Sequence, residues 1–229
     1  MSEYKSIIQV AGVHDLKEAE MILRAGATHV GFPLNLNVHK PDVTEDEAAD
    51  IIHALSNPAK AVLITYLDKA EDIVNMIIKL GCSTVQIHGR IPMAELILLR
   101  ETLPALKIWK SLVIQPGNFI PLSRQVKVLE DHVDAFITDT YDPSTGASGA
   151  TGKTHDWKIS KKLVELARKP VILAGGLNLR NIKDAILNVK PSGVDAHTGL
   201  EGWDGRKDQK KVEMFVQMAM EAFEIINEI

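Results

Sequence analysis

The residues of this chain best suited to proton chemistry are Asp139 with Thr140, and the glycine-rich run Gly149-Ala150-Thr151-Gly152-Lys153-Thr154-His155-Asp156-Trp157 that follows them. A carboxylic acid at the end of a β-rich run and ahead of a long loop can give a proton to a bound substrate or take one from it. Taken alone, Asp139 also reads as a turn-capping aspartate, and its place at a strand end favours the acid/base role. Thr140 is placed to orient it. Lys153 reads as a contact to an anion or a substrate oxygen, and Asp156 as the start of the next helix. A second kind of chemistry is written in Ala174-Gly175-Gly176-Leu177 and in Val194-Asp195-Ala196-His197-Thr198-Gly199. Glycines at such ends let the backbone approach a ligand with its N–H groups pointing outward, as phosphate recognition needs. One glycine pair alone reads as a tight turn. Two such segments, the second with a hydroxyl at Thr198, read as a cradle for a phosphorylated ligand built from Gly175, Gly176, His197, Thr198 and Gly199. His197 fits an ordinary rim histidine equally well. No His/Cys/Asp cluster accompanies it in sequence, so no metal is expected.

These residues need a scaffold, and the apolar pattern describes one. Short β-rich runs alternate with longer stretches of helical periodicity, the pattern of repeated βα units around a parallel sheet. The strand candidates are Ser6 to Ala11, His29 to Phe32, Ala61 to Thr65, Thr84 to Ile87, Lys107 to Val113, Ala135 to Thr138, Val171 to Ala174 and Gly193 to Ala196. Amphipathic stretches lie between them, among them Leu16 to Arg24, Glu45 to Leu55, Ala70 to Leu80 and Trp157 to Arg168, with Gln209 to Ile229 as a closing helix. Asp15, Thr44 and Asp156 are expected N-caps; Gly26 and Gly81 suit helix C-termini. Eight units favour a closed (β/α)₈ TIM barrel, formed by residues 1–229 as a single domain, over an open doubly wound sheet. In such a barrel the chemistry gathers at the C-terminal strand ends, and the loops after the seventh and eighth strands form the recurrent phosphate site.

Composition narrows the partners. At 229 residues and 45% hydrophobic, the chain can bury a barrel-sized core. A formal charge of −4 supplies no basic field, so nucleic acid is not expected and an anion must be held locally. The single cysteine, Cys82, rules out an internal disulfide framework and suits a reducing compartment; with no long apolar run at the N-terminus or beyond, a cytoplasmic protein without membrane contact is expected. The helical faces fit a monomer or a homodimer.

The ordered motifs resemble those of the phosphoribosylanthranilate isomerase family. The matching segments are Ala25-Gly26-Ala27 through Gly31-Phe32, Val85-Gln86-Ile87-His88-Gly89, Asp139-Thr140, Gly149 to Trp157, Ala174 to Asn178, and Gly193-Val194-Asp195 through Gly199-Leu200-Glu201, so that the similarity spans nearly the whole chain. The resemblance implies a cofactor-independent Amadori rearrangement in tryptophan biosynthesis, in which an aminoaldose phosphate becomes an aminoketose phosphate. It also implies Asp139 as the acid that protonates the ribose ring oxygen, and a cysteine within Lys-Ile-Cys-Gly as the base that removes the C2′ proton.

Here that segment reads Gln9-Val10-Ala11-Gly12, and alanine accepts no proton. A positioned base contributes about 10²–10⁴-fold, so another group must serve if the reaction is kept. Cys82 precedes the fourth strand and is expected away from the catalytic face; His14, Tyr66 and His88 are better placed, with His88 equally open to a structural role. After the second strand, where the resemblance implies an arginine near the anthranilate carboxylate, Lys40 keeps the charge and loses the bidentate fork. A solvated loop lysine is the plain alternative. Ala11, Lys40, His88 and Lys153 are thus the expected substrate-pocket residues. The competing functions are an isomerase, epimerase or lyase acting on another phosphorylated carbohydrate, and a non-catalytic phosphometabolite-binding barrel.

Overall fold

The short apolar runs become strands because both their faces are covered, by the barrel interior on one side and the helices on the other. The computed structural model describes residues 6–36, 40–140 and 154–228. Its strands are β1 (Ile7–Ala11), β2 (His29–Leu34), β3 (Ala61–Thr65), β4 (Thr84–Ile87), β5 (Lys107–Ile114), β6 (Ala135–Thr140), β7 (Val171–Leu173) and β8 (Gly193–Ala196). They pair in parallel in sequence order, and β8 returns to β1 to close the barrel. Around it run α1 (Leu16–Arg24), α2 (Glu45–Ala54), α3 (Ala70–Leu80), α4 (Met93–Thr102), α5 (Phe119–Leu129), α6 (Trp157–Leu166), α7 (Ile182–Val189) and α8 (Gln209–Asn227), with 3₁₀ turns at Pro58–Lys60 and Thr198–Leu200. Among the described residues, no helix is long and apolar enough to cross a membrane.

The expected caps are in place. Asp15 accepts from the Glu18 N–H, Thr44 forms a reciprocal capping box with Glu47, and Asp156 accepts from the Lys158 N–H. Gly26 and Gly81 take φ of +103° and +69° at helix ends. Several boundaries differ from the expectation. β2 continues through Pro33 to Leu34, and β6 continues through Asp139 to Thr140 because Val113 and Ile114 of β5 keep pairing with it. Asp139 is therefore held by the sheet and not by a loop. β7 stops at Leu173, and α6 stops at Leu166, short of Arg168, whose guanidinium is drawn onto Glu130 and Asp131.

Strand alternation and register stack the inward side chains in layers of four from alternate strands. The pairings place Gln9, Val62, Trp109 and Ile172 in one layer, then Gly31, Gln86, Ile137 and Asp195, then Ala11, Ile64, Ser111 and Ala174, and finally Pro33, His88, Asp139 and His197 at the C-terminal mouth. The lower layers are mostly apolar and form a small inner core with Ala135. The larger core lies between sheet and helices, where Phe32, Phe136 and Phe215 are fully buried. Each such side chain stabilises the fold by roughly 1.5–3 kcal/mol through burial. That core holds the strand ends rigidly enough to fix the groups of the mouth against one another.

Candidate active site

Asp139 projects into the top layer from the rigid end of β6. One carboxylate oxygen, Oδ1, accepts the Thr140 N–H at 2.7 Å, and Oδ2 lies 3.2 Å from His88 Nε2. The residue is buried. Loss of hydration disfavours the charged form, so burial pushes its carboxyl up to about 7, against the opposing pull of the Thr140 amide. A carboxylic acid that is substantially protonated at neutral pH is equipped to donate a proton. His88 is held from its other side by Ser111, whose Oγ is 3.1 Å from Nδ1, and the Tyr66 ring is tilted against it at 4.8 Å. His88, expected in the substrate pocket, stands at the barrel mouth between Asp139 and Ser111.

At the place expected of a base, Ala11 is buried and meets Gly31, where an added Cβ would come within 3.0 Å of the alanine methyl. Each of the bases expected from sequence has partners of its own. Cys82 is buried under the sheet with Sγ 3.8 Å from the Thr84 carbonyl, and burial pushes its thiol up to about 11. His14 sits at the rim with Nδ1 3.2 Å from Glu18 Oε2. Tyr66 and His88 belong to the Asp139 side of the mouth.

A half-buried carboxylate lies one layer below. Asp195 is the inward residue of β8 in the layer beneath Ala11, and Gln9 Nε2 donates to its Oδ1 at 3.0 Å while also donating to Gln86 Oε1 at 3.1 Å. Burial pushes this carboxyl up to about 7 as well, with the Gln9 hydrogen bond and the Lys207 charge opposing and the Asp139 charge assisting. Sequence reasoning passed over Gln9 and Asp195 as site groups; the signal available was the period-two alternation that turns both inward.

The phosphate segments come together through backbone contact. Gly175 and Gly176 take φ of +99° and +63°, two left-handed residues in succession that an L side chain resists. Their turn is locked from behind: Asn178 Nδ2 and Asn181 Nδ2 each donate to the Gly176 carbonyl at 3.0 Å. Gly199 approaches so closely that an added Cβ would lie 2.1 Å from the Leu177 carbonyl oxygen. The turn Thr198–Leu200 is closed by N–H groups of Leu200 and Glu201, and the first N–H groups of such a turn point away from it. His197 lies over Gly12, with Nε2 3.4 Å from Glu201 Oε1 and 3.9 Å from Asp42 Oδ2. That nitrogen faces carboxylates, which sets His197 apart from the glycine backbone and Thr198 beside it.

A further chain of polar groups joins the acid to α6. Thr140 Oγ1 is 2.9 Å from His155 Nδ1, and His155 Nε2 is 2.6 Å from Ser160 Oγ. Burial lowers the imidazole to about 4, so His155 is neutral and ties the residues just before α6 to the sheet. Lys40 is exposed. Lys153 lies outside the described residues. Among the described residues no group of three or more His, Cys, Asp or Glu is arranged to hold a metal ion.

Comparison with known proteins agrees with this geometry. The family profile of N-(5'-phosphoribosyl)anthranilate (PRA) isomerase matches residues 8–218. N-(5'-phosphoribosyl)anthranilate isomerase 2 of Methanosarcina mazei is 38% identical over 218 residues, covering 94% of this chain and 95% of the relative. The isomerase of Methanothrix thermoacetophila is 32% identical over 210 residues, covering 92% of this chain and 96% of its own length. Among solved structures, phosphoribosyl anthranilate isomerase from Thermotoga maritima superposes with a TM-score of 0.78 at 25% identity, covering 94% of this chain and 98% of that one. A phosphoribosyl anthranilate isomerase in complex with reduced 1-(o-carboxyphenylamino)-1-deoxyribulose 5-phosphate shares the fold, with a TM-score of 0.76 at 22% identity and coverage of 94% and 98%. With its profile match, its barrel and its close-packed phosphate loops, the chain belongs to the N-(5'-phosphoribosyl)anthranilate isomerase family.

Proposed function

We propose that this chain catalyses the Amadori rearrangement of N-(5'-phosphoribosyl)anthranilate, a step of tryptophan biosynthesis. The carrying observation is Asp139, a buried acid held between Thr140 and His88 at the barrel mouth, whose carboxyl burial raises to about 7. Asp139 donates its proton to the ribose ring oxygen as the C1′–O bond breaks, and the anilino nitrogen supplies the electron pair that leaves an iminium. Removal of the C2′ proton then gives an enolamine that ketonises to the aminoketose phosphate. The reduced ligand bound by the solved relative has that aminoketose skeleton. Gly175, Gly176, Thr198 and Gly199 receive the phosphate, and the helix behind Gly176 adds its positive end. Lys40 and Lys153 supply cations toward the anthranilate carboxylate or another substrate oxygen. The chain works as one barrel domain in the cytoplasm.

Loss of the fluorescence of N-(5'-phosphoribosyl)anthranilate measures the reaction directly. The unaltered chain should turn the substrate over, and Asp139→Asn should lower kcat by about 10²–10⁴-fold. No turnover by the unaltered chain, with turnover of a different sugar phosphate, would sink this assignment and favour the carbohydrate-phosphate alternative.

A further inference from the structure

The rearrangement leaves one role without an occupant. Once the ring is open, a base must take the hydrogen on C2′, and Ala11 stands where the resemblance places that base. Geometry narrows the field. His88 is engaged by Asp139 and Ser111, His14 by Glu18, and the Cys82 thiol lies under the sheet. His197 has Nε2 turned to Glu201 and Asp42.

Asp195 is placed differently. In the layer directly above it, its neighbours on β1 and β7 are Ala11 and Ala174, two methyl groups. Asp195 is half-buried and lies a full layer deeper than Asp139, with only those small side chains above it on β1 and β7. Its Oδ1 is fixed by Gln9 at 3.0 Å. Gln9 Oε1 is buried and has no hydrogen-bond partner among the described residues, an unmet acceptor in the floor next to the carboxylate. A buried polar atom of this kind costs about 1–3 kcal/mol and marks a place that a donor completes.

We propose that Asp195 is the general base of the rearrangement, reached past the methyl groups of Ala11 and Ala174 and oriented by Gln9. This rests on the isomerase reading given above. In the balanced step, the C2′–H electron pair forms the C1′=C2′ bond and neutralises the iminium, and the proton goes to Asp195. The enol then loses its hydroxyl proton and gains one at C1′. Asp139 ends ionised and Asp195 protonated, and exchange with solvent restores both. The Asp139 charge adds to the effect of burial in raising the Asp195 carboxyl, so ionisation of Asp139 disfavours ionisation of Asp195.

The test uses the full chain with N-(5'-phosphoribosyl)anthranilate. Asp195→Asn should lower kcat by about 10²–10⁴-fold with KM changed less than a few-fold, and should still bind the reduced aminoketose phosphate. A Gln9→Lys variant adds a readout that a structural role would not move. The ionisable groups acting on Asp195 are Asp139 and Lys207; a third, cationic neighbour would favour the carboxylate, so the rising acid limb of kcat/KM should shift to lower pH. Ala11→Cys placed in the Asp195→Asn background should recover at least tenfold in kcat, because a thiol then stands beside the same space. Should Asp195→Asn fail to fold, the Gln9→Lys profile decides. An unaltered chain without turnover overturns the isomerase reading and this proposal together. Normal turnover of the unaltered chain with Asp195→Asn within threefold of it, or an unmoved acid limb in Gln9→Lys, overturns the base alone.

Discussion

Replacing Asp139 with Asn should weaken catalysis and strengthen the fold, and the second effect should depend on pH in a direction the structure dictates. The carboxyl is carried by burial from its ordinary 3.8 to about 7. At about 1.36 kcal/mol per pH unit, that interval is worth roughly 4 kcal/mol at most. Between those two pH values the folded chain holds a proton that the unfolded chain has released, so stability contributed by this group falls as pH rises from about 4 to 7 and then levels off. Asn keeps the shape: its Oδ1 still accepts the Thr140 N–H, and its amide faces His88 Nε2. With water entry and local relaxation, a gain of about 1–3 kcal/mol at pH 8 is expected, vanishing at pH 4. Asp195 adds to the contrast, because removing the Asp139 charge lets its own carboxyl fall. Urea unfolding of both proteins at pH 4, 6 and 8 measures this. An Asp139→Asn variant that is equally or less stable at pH 8, or whose advantage is the same at every pH, would refute the claim that desolvation governs this acid.

Lys110 shows the opposite sign. Its ammonium is buried on the carbonyls of Ile87 and Ser111, and burial lowers it to about 7 from 10.5, so stability should rise between those pH values, and Lys110→Met should flatten that rise in unfolding midpoints at pH 7 and 9.5. Gly199→Ala drives a Cβ against the Leu177 carbonyl, and separation of the two phosphate loops should raise KM for the phosphorylated substrate by about tenfold or more while inhibition by inorganic phosphate weakens in parallel. The Cys82 thiol, buried and raised to about 11, should resist a disulfide-exchange reagent at pH 8 in the native protein and react fully after unfolding in urea; rapid labelling of the folded chain would contradict its placement.

The barrel was legible because its signals are local. Period-two alternation, caps such as Thr44 with Glu47, and C-terminal glycines such as Gly81 each depend on neighbours a few residues away. Boundaries that depend on a partner strand were less so: β6 runs on through Asp139 because β5 continues beside it. The turn at Gly175 and Gly176 was also legible in type, since two left-handed glycines are a backbone property that the residue itself announces. The contact between Gly199 and Leu177 was not, because it joins separate βα units.

From the amino-acid sequence alone come the eight βα units, the family, a carboxyl at the end of the sixth strand, paired glycines after the seventh and the absence of a thiol at Ala11. Each is a matter of residue type and short-range spacing. Only the tertiary structure decided which groups meet: Asp139 with His88 and Ser111, Thr140 with His155 and Ser160, and Gln9 with Asp195 and Gln86 across the barrel floor. It alone decided their protonation too, because the desolvation that brings two ordinary aspartates to about 7 arises when distant strands close around them and exclude water.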